Sequence, residues 1–360
     1  MKRRNLGDRH QTLPIAYAAI RAIAAALLLV GCVHATALVL ADTPPPVATP
    51  VVTPPDPVSP AKWGIAAAGQ TDPLHFRDWA TLLGKPQQWD VTWADKQDSW
   101  AKQVGMFNSW FLPRLALWKS DGRGFTISMP MVIPHESLAI GNSGADDANW
   151  TAIGQHLVAH GFGDAVIRLG WEFNGDWYPW RAKKAGVVDP NWRPLFRRIV
   201  GLLRAVPGQS FKFDWCPSLT GNKLTLAELA AIYPGSDDVD IIGLDVYNNI
   251  GKGEAWIPAA FRGSPQKHWD YWLTSNSGNH GLSLNWFVDF AAKQGKPMSL
   301  PEWGQNARQT GDEPYFITQM AAWIAAHNIY YQVYFSTKMS EFSLDYMPLS
   351  KAAFIAAFKK

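Results

Sequence analysis

Short apolar segments alternate with longer amphipathic segments from residue 62 to the end of the 360-residue chain. The short segments are almost continuously hydrophobic, which is typical of parallel strands that are buried on both faces. They predict eight strands, which are KWGIAA (62–67), WDVTWA (89–94), FTISMPMV (125–132), DAVIRLGW (164–171), SFKFDW (210–215), DIIGLDVY (240–247), PMSLPEW (297–303) and YYQVYFS (330–336).

The amphipathic segments predict eight helices between and after these strands. Several of them end in Gly or Asn, as helix C-termini often do; examples are NWTAIGQHLVAHG and PYFITQMAAWIAAHN. Eight strands that alternate with eight helices indicate an α/β fold, a (β/α)8 TIM barrel that forms one domain over residues 62–360. The alternative is an open doubly wound sheet, but neither GxGxxG nor GxxxxGK[ST] occurs in the chain.

The first 41 residues have the pattern of an export segment. A charged start, MKRRNLGDRH, precedes the apolar run AIAAALLLVG, and Ala41 offers a signal-peptidase site. The segment LVGC, which ends at Cys32, also resembles a bacterial lipoprotein box, and the uncut apolar run is long enough to span a bilayer. We therefore expect a signal peptide or membrane anchor, and a chain that is periplasmic, secreted or attached to a membrane.

A Pro-rich linker is expected over residues 42–61, because TPPPVATPVVTPPDPVSP has neither helical nor strand periodicity. The net charge of +3 belongs to the export segment, which holds five basic residues and Asp8. Without that segment, 28 basic and 29 acidic residues remain. A nucleic-acid partner is therefore not expected.

The 19 tryptophans have two interpretations. They are either core residues or the paving of a cleft in which indole rings stack on sugars, and composition does not decide between them. Cys216 is the one cysteine after the export segment, so no intrachain disulfide is expected. It is interpreted as a buried apolar residue, because no Cys–His signature surrounds it.

Three of the predicted strands end with a carboxylate. In RLGWEFNGDWYPW, the two-residue strand period places Arg168 and Glu172 on one face, and Glu172 stands where the apolar run ends. PMSLPEWG ends its apolar run at Glu302, and DIIGLDVYN ends with Asp245 and Tyr247. These are the fourth, seventh and sixth predicted strands.

The acids of strands four and seven face each other across the mouth of a closed barrel. Two opposed carboxylates about 5–5.5 Å apart are what retaining glycoside hydrolysis requires, one protonated and the other ionised. A less polar, aromatic setting would raise the pKa of the acid, while Tyr and Arg donors would keep the nucleophile charged. The sequence therefore predicts that Glu172 and Glu302 are a catalytic pair.

The segments RLGWEFNGDW, DIIGLDVY and KPMSLPEWG resemble, in order and spacing, those of the clan A glycoside hydrolases, and most of all family 26, the β-mannanase family. The resemblance extends from residue 62 to about residue 340. It implies Glu172 as acid/base and Glu302 as nucleophile, with Tyr247 as a hydrogen-bond partner of the nucleophile, Asp245 as its support and Trp177 as a sugar platform. The predicted substrate-binding set is Arg168, Trp171, Asn174, Trp177, Asp245, Tyr247 and Trp303.

Two positions depart from the family pattern. Trp171 precedes the acid/base where family 26 mannanases have His, and the eighth strand offers Tyr334 and Phe335 where they usually have Trp. Both positions shape the subsite that holds the sugar being cleaved. The predicted class of reaction does not depend on them, but the prediction of mannan as the substrate does.

Other catalytic patterns are weaker. His156 and His160 have the i, i+4 spacing of metal ligands, but no HExxH accompanies them, and the helix is expected to lie away from the mouth. No GxSxG segment is present. Neither a metal nor an organic cofactor is therefore expected.

The sequence predicts an exported, monomeric, retaining endo-β-glycosidase that acts on a β-linked polysaccharide by a two-glutamate double displacement. The polysaccharide is mannan-like, a xylan, a glucan or an exopolysaccharide. The alternative is a barrel that has lost catalysis and binds carbohydrate for attachment or transport of an exopolysaccharide. Retention of both carboxylates favours the enzyme, because a pure binder needs neither.

Overall fold

The structure is a computed structural model, and it describes residues 60–66, 73–94, 96–119, 122–250, 254–274, 280–336 and 341–359. The predicted export segment over 1–41 lies outside the described residues, as does the linker over 42–61 apart from Pro60 and Ala61. The boundaries of the 62–360 domain stay a prediction. None of the helices in the described ranges is both long enough and apolar enough to cross a membrane.

All eight predicted strands are present. In chain order the strands are β1 Lys62–Ala66, β2 Trp89–Trp93, β3 Gly124–Met129, β4 Val166–Leu169, β5 Lys183–Lys184, β6 Val187–Val188, β7 Lys212–Trp215, β8 Ile241–Gly243, β9 Val246–Asn248, β10 Met298–Gln305 and β11 Ile329–Phe335. The barrel strands pair in parallel in the order β1-β11-β10-β8-β7-β4-β3-β2, and β9 continues the sixth barrel strand by pairing with β10. The predicted (β/α)8 barrel is confirmed.

The barrel closes where β1 approaches β2. Gly64 makes this approach possible, because a Cβ atom there would lie 2.1 Å from the Trp89 carbonyl oxygen. The Gln88 amide donates to the Trp63 carbonyl at 3.0 Å. The Gln87 side-chain amide, which is buried, bridges the carbonyls of Ile65 at 3.1 Å and Trp89 at 2.9 Å. The Gln87 side chain thus supplies hydrogen bonds between β1 and β2, the two strands at which the barrel closes.

Helices cover the outside of the barrel. They are α1 Pro73–Leu83, α2 Trp100–Met106, α3 Leu112–Lys119, α4 Leu138–Ser143, α5 Asp147–Ala159, α6 Trp192–Arg204, α7 Leu226–Ala231, α8 Pro265–Thr274, α9 Leu284–Gln294, α10 Pro314–Ala326 and α11 Pro348–Phe358. A π-helical turn over Phe107–Phe111 joins α2 to α3. Short 3-10 turns lie at Glu254–Trp256, Ala259–Phe261 and Leu344–Tyr346.

Helix α6 shows why such segments form helices here. Its buried side chains recur at three- and four-residue intervals and face the sheet; they are Trp192, Leu195, Phe196, Ile199, Val200 and Leu203. Helix α7 begins with a capping box, in which the Thr225 hydroxyl accepts from the Glu228 amide and the Glu228 carboxylate accepts from the Thr225 amide.

The sequence pattern did not predict helices α3, α4 and α8. It also missed the β5–β6 hairpin, which lies in the loop after the fourth barrel strand. The hairpin has two residues in each strand, too few for a periodic signal. Most of the tryptophans that the structure describes belong to the core, and Trp180, Trp192, Trp215, Trp272 and Trp303 are fully buried. Trp110, Trp177 and Trp256 are the most exposed ones.

Candidate active site

Glu172 reaches the mouth of the barrel from a tight turn rather than from a strand. Strand β4 ends at Leu169, and both Gly170 (φ 58°) and Glu172 (φ 51°) have left-handed backbone conformations. A Cβ atom on Gly170 would lie 2.4 Å from the sulfur of Met131, so the turn also needs glycine for space. The prediction that the two-residue period extends from Arg168 to Glu172 is wrong, because the strand ends three residues earlier.

A backbone contact holds this turn to the next barrel strand. The Glu172 amide donates to the Cys216 carbonyl at 2.8 Å. A left-handed conformation is uncommon for a residue with a side chain and persists where the surroundings enforce it, often at functional sites.

Glu302 lies within β10 and accepts hydrogen bonds from three side chains. Its Oε1 atom accepts from Arg168 Nη1 at 2.6 Å and from Trp93 Nε1 at 3.0 Å, and its Oε2 atom accepts from the Tyr247 hydroxyl at 2.8 Å. The Glu302 side chain is 9% exposed. Donors of this kind favour the ionised form of a carboxyl group.

Arg168 is the cation beneath the site and is fully buried. Its Nη1 atom donates to Glu302 and also to the Ser128 hydroxyl at 3.2 Å, while its Nη2 atom forms an ion pair with Asp245. Asp245 is fully buried too and accepts from the Cys216 thiol at 3.4 Å. One guanidinium group therefore binds two carboxylates. Of these two, only Glu302 is partly exposed to the cleft, because Asp245 is fully buried.

The Glu172 carboxyl group accepts fewer side-chain hydrogen bonds than that of Glu302. It is half-buried, and its Oε2 atom accepts from Trp177 Nε1 at 2.9 Å. Burial raises the pKa of Glu172 to about 7, and the negative charge of Glu302 adds to this rise. Carboxylate oxygens of Glu172, Asp245 and Glu302 lie within 4.8 Å of one another. The two predicted catalytic acids are thus neighbours in unlike surroundings.

The same three carboxylates are the group in the described ranges that could offer ligands to a metal ion. Two of them already bind the buried guanidinium of Arg168. A metal ion would therefore share the site with a fixed positive charge, which disfavours its binding.

The structure separates the predicted substrate-binding residues into four groups, three of which lie at or beneath the cleft. Trp177 is 43% exposed and lies in the cleft beside Glu172, as expected for a sugar platform. Tyr247 is half-buried and contacts Glu302. Arg168, Asp245 and Trp171 lie beneath or beside the carboxylates, where burial leaves them as supports rather than as surfaces for sugar; Trp171 is 5% exposed, and its indole nitrogen donates to the Tyr178 hydroxyl at 3.0 Å.

Two of the predicted substrate-binding residues do not reach the cleft. Trp303 points to the outside of the barrel wall, packs against Phe316 and Phe354, and is fully buried. Asn174 is also fully buried, and its side-chain amide ties its loop to the backbone of Ser218 through bonds of 2.7 and 2.8 Å. Their assignment to substrate binding is therefore corrected.

Sequence reasoning missed Trp93, which donates to the nucleophile candidate from the second barrel strand. The signal was present, since Trp93 is the last residue of the apolar strand β2. Phe335 of β11 makes edge contacts with Trp93 (5.6 Å between ring centroids) and Tyr247 (5.8 Å). Of the two aromatic residues noted on the eighth strand, Phe335 is therefore at the mouth, whereas Tyr334 is fully buried.

Asp214 forms a second buried layer below the site. It accepts from the Ser299 and Tyr331 hydroxyls, each at 2.6 Å, and burial raises the pKa of Asp214 to about 6. Trp215 packs against Tyr233 and Phe290. Asp214 and Trp215 of strand β7 are therefore both interior residues and do not line the cleft.

Replacing Arg168 with Met is expected to lower the free energy of unfolding by about 3–5 kcal/mol, because two carboxylates would stay buried without their counterion. Urea denaturation measures this loss. The control is Arg198→Met, which removes an ion pair with Asp147 whose side chains are more than a third exposed. The control loss should be below about 1 kcal/mol. If Arg168→Met lowered the free energy of unfolding as little as Arg198→Met does, Arg168 would not be an essential counterion of the two buried carboxylates.

Residues 164–258 match the sequence profile described as glycosyl hydrolase family 26. Endoglucanase H of Acetivibrio thermocellus is 31% identical over 119 residues, which are 32% of this chain and 13% of that protein. The matched region thus spans a small part of that relative.

The barrel is similar to solved structures. A GH26 β-mannanase from Bacteroides ovatus aligns with a TM-score of 0.53 at 14% identity, over 84% of this chain and 93% of that one. The catalytic domain of the GH26 endo-β-1,4-mannanase of Bacillus sp. JAMB-750 gives a TM-score of 0.55 at 14% identity, over 83% and 84%. The GH26 domain of an endo-β-mannanase/endo-β-glucanase from Prevotella bryantii gives 0.51 at 13% identity, over 81% and 88%.

At these identities the structural likeness shows the fold. The profile match includes Glu172, Asp245 and Tyr247. The predicted likeness to clan A and family 26 is confirmed, and the matches together support a glycoside hydrolase.

Proposed function

We propose that this chain, which carries the family 26 profile from its fourth to its sixth barrel strand, is an exported retaining endo-β-glycosidase of β-linked polysaccharides. The observation that carries the proposal is the unlike setting of two glutamates whose carboxylate oxygens lie within 4.8 Å. Glu302 accepts from three donors, while the pKa of Glu172 is raised to about 7. This pairs an ionised nucleophile with a protonated acid at neutral pH.

In the first step, Glu302 attacks the anomeric carbon and forms a covalent glycosyl ester. Glu172 gives its proton to the glycosidic oxygen, so the C–O bond breaks and the leaving sugar departs as a neutral alcohol. Trp177 keeps the Glu172 carboxyl group oriented through its indole N–H. Phe335 and Trp93 form an apolar edge at the mouth, which reduces the contact of the reacting centre with water.

The second step uses the change in charge that the first step causes. The negative charge of Glu302 contributes to the raised pKa of Glu172, and forming the ester neutralises that charge. The pKa of Glu172 therefore falls in the intermediate, and its carboxylate can accept a proton from the water that attacks the anomeric carbon. The sugar is released with its original configuration, and Glu302 is again a carboxylate held by Arg168, Tyr247 and Trp93.

The names of the relatives support a class of substrate. The solved structures cited above are described as β-mannanases or as an endo-β-mannanase/endo-β-glucanase, and the sequence relative is named an endoglucanase. These names support β-mannan and β-glucan as candidate substrates of this chain. Xylan and an exopolysaccharide remain candidates from the sequence analysis alone. Trp171, which replaces the family His, lies beside the Arg168 guanidinium at 5.9 Å and distinguishes this site from the mannanase pattern.

Net retention of anomeric configuration is the expected result on whichever polysaccharide is cleaved. Proton NMR of the first products measures it, after reducing-sugar release from a panel of mannan, glucan, xylan and bacterial exopolysaccharides has identified the substrate. Inverted product would contradict the two-glutamate mechanism. Tight binding to one of these polysaccharides without any release of reducing ends would instead favour the carbohydrate-binding barrel.

A further inference from the structure

A cavity lies next to Trp177, the residue whose indole nitrogen donates to Glu172. Its volume is about 500 Å³. Its walls come from the loops that follow the second, third and fourth barrel strands, so it lies at the same end of the barrel as the catalytic carboxylates. Trp177 is common to both, since its indole nitrogen donates to Glu172 and its side chain lines the cavity. A sugar chain that runs over Trp177 would therefore pass from the acid into this cavity.

Three cationic side chains line this cavity, which are Lys96, Arg181 and Lys184. Lys96 lies 5.6 Å from the centre of the Tyr178 ring, and Arg181 donates to the Tyr178 carbonyl at 3.1 Å. Across the described residues, none of the three forms an ion pair with a carboxylate.

Neighbouring lysines behave differently. Lys183, the residue before Lys184, binds Glu228 at 2.8 Å, and Lys223 binds Asp176 at 3.3 Å. Nearby acidic residues therefore form ion pairs with lysines that lie outside the cavity. The cationic side chains of the cavity have no such partner and stay available to a ligand.

The two carboxylates of the cavity already have other partners. Glu136 accepts from Trp100 Nε1 at 3.2 Å, and Asp189 accepts from the backbone and side-chain amides of Asn191 at 2.9 and 3.0 Å. Burial, together with the nearby Asp146, also raises the pKa of Glu136. With three cationic side chains against two carboxyl groups, the lining of the cavity has a net positive charge. The residues after the export segment, in contrast, carry slightly more acidic than basic groups.

The position of Trp177 is fixed by two glycines. A Cβ atom on Gly175 would lie 2.3 Å from the Trp177 ring, and one on Gly221 would lie 2.8 Å from it. The ring is therefore in close contact with the backbone at these two glycines, and it is also partly exposed. An exposed indole next to cations that have no carboxylate partner fits a ligand that is both a sugar ring and an anion.

We propose that this cavity is a subsite for a sugar that carries a carboxylate, so that the substrate is an acidic β-linked polysaccharide. The statement that the acidic polysaccharide is hydrolysed rests on the proposed function. The binding of an acidic sugar in the cavity does not depend on it. The carboxylate can come from an oxidised C6 position within the backbone or from a uronic acid branch, because Lys and Arg recognise the same group in both.

Binding is measured on the Glu302→Gln chain, so that the ligand is not consumed. Isothermal titration uses three probes built on the same neutral β-linked oligosaccharide: the unmodified form, a form oxidised to a carboxylate at one C6 position, and a form with one glucuronic acid branch. At least one acidic probe is expected to bind about 10-fold more tightly than the neutral one, the size of one charge-assisted hydrogen bond. This difference should shrink at high salt, because the cavity is open to solvent.

The Lys96→Gln/Lys184→Gln double variant should bind the acidic probe no better than the neutral one. Lys212→Gln is the matched control, since Lys212 is an exposed lysine at the opposite end of a barrel strand, and it should keep the full preference. The acidic probe that binds best identifies the source of the carboxylate. Equal affinity for all three probes, or a preference that survives in the double variant, would overturn the subsite.

Hydrolysis of the same probes by the chain with Glu302 intact separates the two proposals. Binding preference without hydrolysis would count against the glycosidase while keeping the subsite. Hydrolysis with no preference for acidic probes in binding would keep the glycosidase and remove the subsite.

Discussion

Replacing Glu302 with Gln is expected to lower kcat on the polysaccharide by roughly 10⁴–10⁶-fold, the range found when a member of a catalytic nucleophile system is removed. The amide has nearly the same shape as the carboxylate but cannot attack the anomeric carbon. The variant should also form no covalent intermediate on a dinitrophenyl glycoside, even though that leaving group departs without protonation. Mass spectrometry of the intact protein during turnover measures the intermediate.

The control for this experiment is Asp289→Asn, the same acid-to-amide change at an exposed position on the outer helix α9. Its kcat should equal that of the unaltered chain. Thermal unfolding separates loss of chemistry from loss of structure, because Glu302 also accepts from Arg168. A covalent adduct on the Glu302→Gln chain would contradict the assignment of Glu302 as nucleophile.

Replacing Glu172 with Ala is expected to lower kcat on the polysaccharide by roughly 10²–10⁴-fold, the contribution of general acid–base catalysis. A dinitrophenyl glycoside should still form the glycosyl ester with Glu302, because its leaving group needs no proton. Turnover should then stop at hydrolysis, which needs Glu172 as base, and added azide should release the β-glycosyl azide. Release of the α-azide would mean that the two glutamates have exchanged roles.

The pH profile gives a second measure of Glu172. The acid must be protonated to act, and burial raises its pKa from 4.5 to about 7. Activity on the polysaccharide should therefore be retained below about pH 7 and fall as the pH rises through it. The first step of the Glu172→Ala chain with the dinitrophenyl glycoside should lack this fall. An unchanged fall in that variant would assign the titration to another group.

The order of elements could be predicted from the sequence because hydrophobic periodicity is a local property. Each barrel strand is apolar on both faces, and the alternation with amphipathic helices indicates a parallel barrel. Barrel geometry predicted that Glu172 and Glu302 lie close together, since the ends of strands four and seven face each other across the mouth of the barrel. Trp303 could also have been placed correctly, because it follows Glu302 in the same strand and alternation points it to the opposite face.

The chemistry of the two acids depended on the tertiary structure. The donor Trp93 is 209 residues from Glu302 in the chain, and Arg168 is 134 residues from it. The left-handed turn at Glu172 is held by the carbonyl of Cys216, the residue that follows strand β7.

By itself, the sequence determined the alternation of strands and helices and the segments that carry the acids, because both are set by neighbours along the chain. Only the tertiary structure decided which acid is surrounded by donors, which one has a raised pKa, and which lysines stay unpaired. Those properties depend on burial and on distances between loops, and both arise when the barrel closes.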